Sequence, residues 1–462
     1  MTLDWQKEIA AYKPEMLADL KALVAIDSSR DLAQKTAAAP LGPGPKTAIE
    51  KMIALGQRDG FQTKNIENVA GRIEYGAGPE TLGIFSHVDV VPAGDGWETE
   101  PFVLTEKDGN LYGRGTSDDK GPLIAAYYGM KLIKKLGLPV HKKIHLIFGS
   151  DEENDWYGMT RYQANEPMPD LGFSPDAEFP IINGEKGITN FDLTFAPLDG
   201  TGDVQLTHFQ SGLASNMVPQ VATATLAGTL PADFATQFDT YLADKPVTGQ
   251  LKDNTLTLTG KVAHSMDPQF GINAATYLAD FLQAYVTDPT GHTYLTTIQQ
   301  LFHLDFNGVK LGIAHHDAIM GDVTASPDIF KFTAGEPALI TLNIRYPKGI
   351  TVADIRAGLT NSLPDNVTMV PQTHAMTPHY VAPDDPLVKT LLAVFEHQTG
   401  TPGHEEVVGG GTYGRLLPRG VAFGALFDME KNVMHQANEY MPTADFFLAA
   451  AIYAEAIYRL AQ

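Results

Sequence analysis

The chain of 462 residues contains no cysteine. That absence excludes disulfides, thiolate metal sites and cysteine nucleophiles. Any zinc would be held by His, Asp and Glu alone. No apolar stretch reaches the roughly 18 residues of a membrane span. The longest, residues 446–453, is short and followed by charges. The opening Met1-Thr2-Leu3-Asp4-Trp5 lacks the basic region and apolar core of a signal peptide. Positive charge is scarce too: 33 Lys and Arg face 55 Asp and Glu, a formal net charge of −22. Such a surface repels phosphate backbones and anionic lipid, so neither nucleic acid nor membrane is an expected partner. A soluble cytoplasmic protein is the expectation these absences leave.

The apolar fraction of 44% is ample for core formation, and the length suits two to four structural units. The acidity serves solubility, and part of it could instead belong to a cation site. Apolar spacing predicts a helix over 3–26, interrupted near Pro14, and another over 46–56. Strands over 72–75, 82–91 and 143–149 alternate with a helix over 121–136, the mark of an α/β unit with a mostly parallel sheet. After about residue 185 the pattern becomes α+β. Alternating strands such as 255–259 and 338–346 are separated by helices over 273–286 and 352–363. A weak echo between two halves of this region, each with strands followed by a helix of similar length, leaves open a lid of two related halves. Helix 386–397, a Gly409-Gly410-Gly411 turn, a strand near 422–427 and a helix over 443–460 complete the chain. The simplest organisation is an α/β catalytic domain (1–185 and 382–462) interrupted by an inserted α+β lid domain (186–381).

Five short segments carry chemistry. His87 and Asp89 stand at i and i+2 of a predicted strand, so both share one face. The pair is either a chance surface pair or a metal ligand with the carboxylate that orients it. Asp118 and Asp119 precede a helix. Helix capping suits Asp119 better, while Asp118 is well placed to bridge two cations. Asp151-Glu152-Glu153 directly follows a buried strand, where open α/β sheets form their crevices. Such a run is a solvated loop unless a cation relieves its mutual repulsion. Asp176 and His435 add a further carboxylate and a further imidazole. As a set, two His and several Asp/Glu at the ends of α/β elements, without cysteine, suit zinc in a hydrolytic site, or else manganese or cobalt.

The segments His87-Val88-Asp89-Val90-Val91-Pro92, Gly113-Arg114-Gly115-x-x-Asp118-x-Lys120-Gly121, Asp151-Glu152-Glu153 and His435-x-x-Asn438-Glu439 resemble, in order and spacing, the dinuclear-zinc peptidase family. That family includes aminoacylases, carnosinases and bacterial carboxypeptidases; PepV-type dipeptidases resemble the chain most. The resemblance implies two Zn2+ per chain, with Mn2+ or Co2+ as substitutes. Asp118 would bridge them, His87 and Asp176 would complete one position, and Glu153 and His435 the other. Asp89 would orient His87. Glu152 would be the general base for a water held between the ions. Related proteins have a cis peptide after the bridging aspartate, here Asp118–Asp119. In the insert, the segment Gly260 to Asn273 around His264 resembles the family stretch whose histidine stabilises the oxyanion. Asn216 and Arg345 match substrate-contact positions, and the glycines up to Gly411 would bring backbone N–H groups to the substrate carboxylate.

The implied activity is hydrolysis of short peptides, mainly dipeptides, by a monomer whose enlarged insert stands in for a partner's lid. An N-acyl-amino-acid deacylase or a carboxypeptidase on the same scaffold is the nearest alternative. A catalytically dead metal-binding scaffold is the non-enzymatic one. The other histidines are expected to be surface or internally satisfied residues: His141, His145, His208, His292, His303, His315, His316, His374, His379, His397 and His404.

Overall fold

Thr81–His87 and Lys143–Gly149 are each buried at every position after the first. In the computed structural model, which describes residues 3–372, 375–428 and 432–462, they are adjacent parallel strands. Strands buried in this way are covered on both faces. They lie at the centre of the first of two units, which draws on Met1–Gly184, Tyr380–Glu406 and Gly411–Gln462. Strand order runs Gln62–Ile66, Ala70–Gly76, Lys143–Gly149, Thr81–His87, Leu171–Ser174, Gly420–Ala422. The last four are mutually parallel. The first two are antiparallel, because a tight hairpin joins them, with Glu67 and Asn68 in the left-handed region.

Helix Lys120–Leu136 is buried along most of its length and ends on Gly137 in the left-handed conformation, a common helix stop. It packs against Thr443–Leu460. At their crossing a Cβ on Gly129 would lie 2.8 Å from the backbone nitrogen of Ala454. Backbone cannot yield as a flexible side chain does. Gly129→Leu is therefore expected to destabilise the protein by about 1–3 kcal/mol, the usual range for overpacking. Denaturant unfolding checks this; an unchanged midpoint would contradict the close approach.

The second unit comprises Glu185–His379 and Val407–Gly410. Its eight-stranded sheet has the order Thr248–Lys252, Thr255–Thr259, Val221–Gly228, Val204–Ser211, Thr324–Thr333, Ala338–Tyr346, Gly187–Phe195, Val367–Pro371, with antiparallel neighbours throughout. Along Gly187–Phe195 buried and half-buried residues alternate, as one covered face requires. The sheet has two halves that meet at Val204–Ser211 and Thr324–Thr333. Each half contains a hairpin followed by a helix, Phe234–Ala243 in one and Val352–Ser362 in the other.

Three local expectations change. The helix expected over 3–26 is two helices, Trp5–Ala10 and Lys13–Val24, with Pro14 in the first turn of the second, where its missing N–H costs nothing. The strand expected to reach residue 91 ends at His87. The strand expected near 422–427 is divided into Gly420–Ala422 and Ala425–Leu426. Among the described residues, no helix is long and apolar enough to cross a membrane. His374 lies outside the described residues.

Candidate metal centre

Parallel strands bring their carboxyl ends to one edge, and ligand crevices form there. Thr81–His87 ends on His87, Lys143–Gly149 runs into Asp151-Glu152-Glu153, and Leu171–Ser174 stops two residues before Asp176. Asp118 comes from the loop before helix Lys120–Leu136, and its peptide to Asp119 is cis, as expected.

All five expected ligands converge. They form two triads that share one carboxylate: His87, Asp118 and Asp176, and Asp118, Glu153 and His435, with ligand atoms within 4.8 Å of one another in each. Asp118 divides its oxygens between them. Oδ1 lies 2.9 Å from His87 Nε2, and Oδ2 lies 2.8 Å from His435 Nε2. His435 Nε2 is also 3.0 Å from Glu153 Oε1, and His87 Nε2 is 3.6 Å from Asp176 Oδ2. The other ring nitrogen of His87, Nδ1, donates to the backbone carbonyl of Asp89 at 3.0 Å. A carbonyl only accepts, so Nδ1 carries a hydrogen, and Nε2 is the ring nitrogen that faces the carboxylates. A ligating histidine donates from its other ring nitrogen in this way.

The charges give the same answer. Burial raises Asp176 to about 6, with Asp118 pushing the same way. Burial, reinforced by Asp118, raises Glu153 to about 7. Burial alone would lower His435, but hydrogen bonds to Asp118 and Glu153 outweigh it and hold the imidazole above its ordinary value. So much confined negative charge calls for positive charge between the donors. Imidazole nitrogens and carboxylate oxygens, one of them offered to both triads, fit a pair of divalent ions of the zinc type.

Asp89 lies beside His87, as expected, but not by sharing a strand face with it. Its strand has ended, so the shared-face argument does not apply. Its carboxylate accepts from the backbone N–H groups of Glu152 and Glu153 at 3.1 and 3.2 Å, and stands 3.4 Å from His87 Nδ1. Asp89 thus ties the acidic loop to the histidine. Within that loop the two glutamates diverge. Glu153 bonds His435, while among the described residues the carboxylate of Glu152 has no hydrogen-bond partner and joins neither triad. Burial, then repulsion by Asp176, pushes the Glu152 carboxyl well above its usual range.

Asp119 occupies the N-cap position but makes no capping bond. Its buried carboxylate turns inward and accepts from Ser86 Oγ and from the His87 N–H. The cap expected from sequence is replaced by a brace behind the histidine. Glu439 is a second brace, fully buried and bonded to the 113–118 loop. Nothing in its local sequence marks it beyond its place after Asn438.

His264, Asn216 and Arg345 belong to the second unit. The N–H of Ser265 donates to the Asn216 carbonyl at 3.0 Å, and Met217 bridges to His264, so the two segments are paired. Buried Asp328 holds that pair from behind, accepting from Ser265 Oγ and Ser326 Oγ at 2.6 Å each. Burial lifts its carboxyl to about 7, against the pull of those hydroxyls and of Arg345. Arg345 is buried on Ala338–Tyr346. Its Nε donates to Asn343 Oδ1 and its Nη1 to the Gly409 carbonyl, both at 2.9 Å. Gly409 thus supplies the contact to Arg345. At Gly411, in the first unit, a Cβ would come within 2.5 Å of Arg415 Nη1.

The remaining histidines have other company. His316 Nδ1 lies 2.8 Å from Asp322, His397 Nδ1 lies 2.8 Å from Glu455, and His404 Nε2 lies 2.7 Å from Glu406. His145 faces Glu74 across the strand pair at 3.2 Å. None of them joins either triad.

Residues 83–459 match the model of Peptidase family M20/M25/M40. A Beta-Ala-Xaa dipeptidase of Lactobacillus delbrueckii subsp. lactis is 45% identical over 465 aligned positions, covering 100% of this chain and 99% of that protein. Among solved structures, human carnosine dipeptidase 1 has a TM-score of 0.61 at 16% identity, covering 99% of this chain and 98% of that one. Aminoacylhistidine dipeptidase from Vibrio alginolyticus has a TM-score of 0.59 at 12% identity, covering 97% and 96%. At those identities the two structures speak for the fold alone.

Proposed function

The chain belongs to peptidase family M20/M25/M40, hydrolases of peptide bonds, and from that premise we propose that it is a dipeptidase working with two zinc ions. The observation that carries this reading is the division of Asp118 between two triads, one oxygen to each. In this reading His87 and Asp176 hold one ion, Glu153 and His435 the other, and Asp118 both; Mn2+ or Co2+ could substitute. Bound there, such ions supply Lewis acidity, polarising a carbonyl and lowering the pKa of water toward about 7.

The protein's own groups do the rest. Glu152, beside the triads and bonded to neither, takes a proton from the attacking water and returns it to the leaving amine. Asp89 fixes the backbone from which Glu152 and Glu153 diverge. His264 stabilises the oxyanion. Arg345 and Asn216 bind the substrate's terminal carboxylate, with a backbone N–H at Gly411 adding to it. Presence of Glu152 and of every expected ligand speaks against a dead scaffold. The name of the 45%-identical relative specifies a β-alanyl dipeptide, so that class is the first to try.

The test is a chelator-stripped preparation titrated with zinc against a substrate panel. β-Alanyl and ordinary dipeptides should release free amine as zinc is restored, with tripeptides and N-acetyl amino acids turned over far more slowly. Preference for N-acetyl amino acids would make the protein a deacylase, and preference for longer peptides a carboxypeptidase. No turnover of any substrate would overturn the reading.

A further inference from the structure

Glu439 is a fully buried carboxylate outside both triads. Its Oε1 accepts from the backbone N–H groups of Gly115, Ser117 and Asp118 at 3.0, 2.9 and 3.2 Å, and from Ser117 Oγ at 3.1 Å. Its Oε2 accepts from Arg114 Nη1 at 2.8 Å and again from the Gly115 N–H at 3.0 Å. The loop that carries Asp118 is therefore wrapped around an anion supplied by another part of the chain. Gly115 makes this wrapping possible: its φ is +90°, and a Cβ there would meet Lys120 Cδ at 2.9 Å.

The anion comes from the turn that also carries His435. That turn has little freedom. His435 and Asn438 both sit in the left-handed region, with φ of 63° and 62°, a conformation His and Asn adopt more readily than most non-glycine residues. The Asn438 side chain accepts from the Glu98 N–H at 2.7 Å, and the Gly113 N–H donates to the Glu439 carbonyl at 3.0 Å. One side chain thus joins the segment bearing the shared ligand to the segment bearing the last ligand.

Building on the two-ion reading above, we propose that Glu439 is a positioning residue that sets zinc affinity at the Asp118–Glu153–His435 triad by locking the Asp118 loop to the His435 turn. The effect is largest at this triad because two of its three members, Asp118 and His435, depend on the link, against Asp118 alone in the other. His87 and Asp176 hang from strand ends that do not involve Glu439.

Glutamine is the informative replacement. It keeps the shape but turns one acceptor into a donor. Whichever way it is flipped, an NH2 group then faces converging N–H groups. Outer partners of metal ligands typically govern affinity by about 10–100-fold. Metal-stripped wild type, Glu439→Gln and Ser117→Ala are titrated with zinc by calorimetry, with elemental analysis for stoichiometry and circular dichroism for folding. Wild type should take two zinc ions. Glu439→Gln should bind one of the two ions about 10–100-fold less tightly while the other stays nearer to wild type. Ser117→Ala removes only the hydroxyl donor and should show a smaller loss at the same position. It carries the test by itself if the glutamine variant does not fold. Wild-type affinities in the folded variants, with only thermal stability lowered, would overturn the proposal. A wild-type chain that binds no zinc would instead remove the two-ion reading itself.

Discussion

Glu152→Gln is expected to lower kcat for a dipeptide by about 10²–10⁴-fold, the contribution of a positioned general base. Zinc content and KM should stay close to wild type. The expectation follows from the different fates of two neighbouring glutamates. Glu153 is bonded to His435 and belongs to a triad, whereas Glu152 has no such bond and stands among acidic neighbours that raise its proton affinity. Glutamine has nearly the same volume and cannot accept the proton. Binding should survive while chemistry fails, so the loss should appear in kcat alone. Steady-state kinetics with zinc analysis on the same sample checks this. If zinc left with the activity, Glu152 would be a ligand. If activity stayed within a few-fold, another group would be the base.

Arg345→Ala should lower kcat/KM for dipeptides by about 10–100-fold, the range expected when a charge-assisted hydrogen bond to a carboxylate is lost. Zinc content should not change. The guanidinium is held rigidly, with Nε on Asn343 and Nη1 on the Gly409 carbonyl. Asn343 is braced in turn by its donation to Asn190 at 2.7 Å. A side chain fixed this firmly presents a defined direction to its partner. A C-terminally amidated dipeptide provides the control. Wild type should process it poorly, and the alanine variant should discriminate little between acid and amide. Equal discrimination in both proteins would assign the carboxylate contact elsewhere.

Much of this was legible in the sequence where the pattern was uninterrupted. Lys143–Gly149, Thr255–Thr259, Ala338–Tyr346 and Thr443–Leu460 are found where apolar periodicity put them. The ends of elements were less legible. Val88 to Val91 continues the apolar character of Thr81–His87, but the chain leaves the sheet to bring the Asp89 carboxylate to two loop N–H groups. No periodicity records that choice, since a bond to a distant loop decides it. The expected ligands were visible because imidazoles and carboxylates at strand ends are unusual as a set. Asp119, Asp328 and Glu439 were not visible in their roles. Each is a buried carboxylate whose donors are brought by the fold, and composition alone puts such residues on the surface. Asp119 misled most, because a carboxylate before a helix has an ordinary local use that it does not serve here.

The strand Gly420–Ala422 enters the first unit beside Leu171–Ser174, although nearly 250 positions of sequence separate them, and His435 follows soon after. A ribosome therefore delivers His87, Asp118, Glu153 and Asp176 long before the residue that completes their number. Until then the nascent polypeptide can offer one full cation position and only part of a second. On the two-ion reading, the second cation position is complete only once His435 has joined the chain.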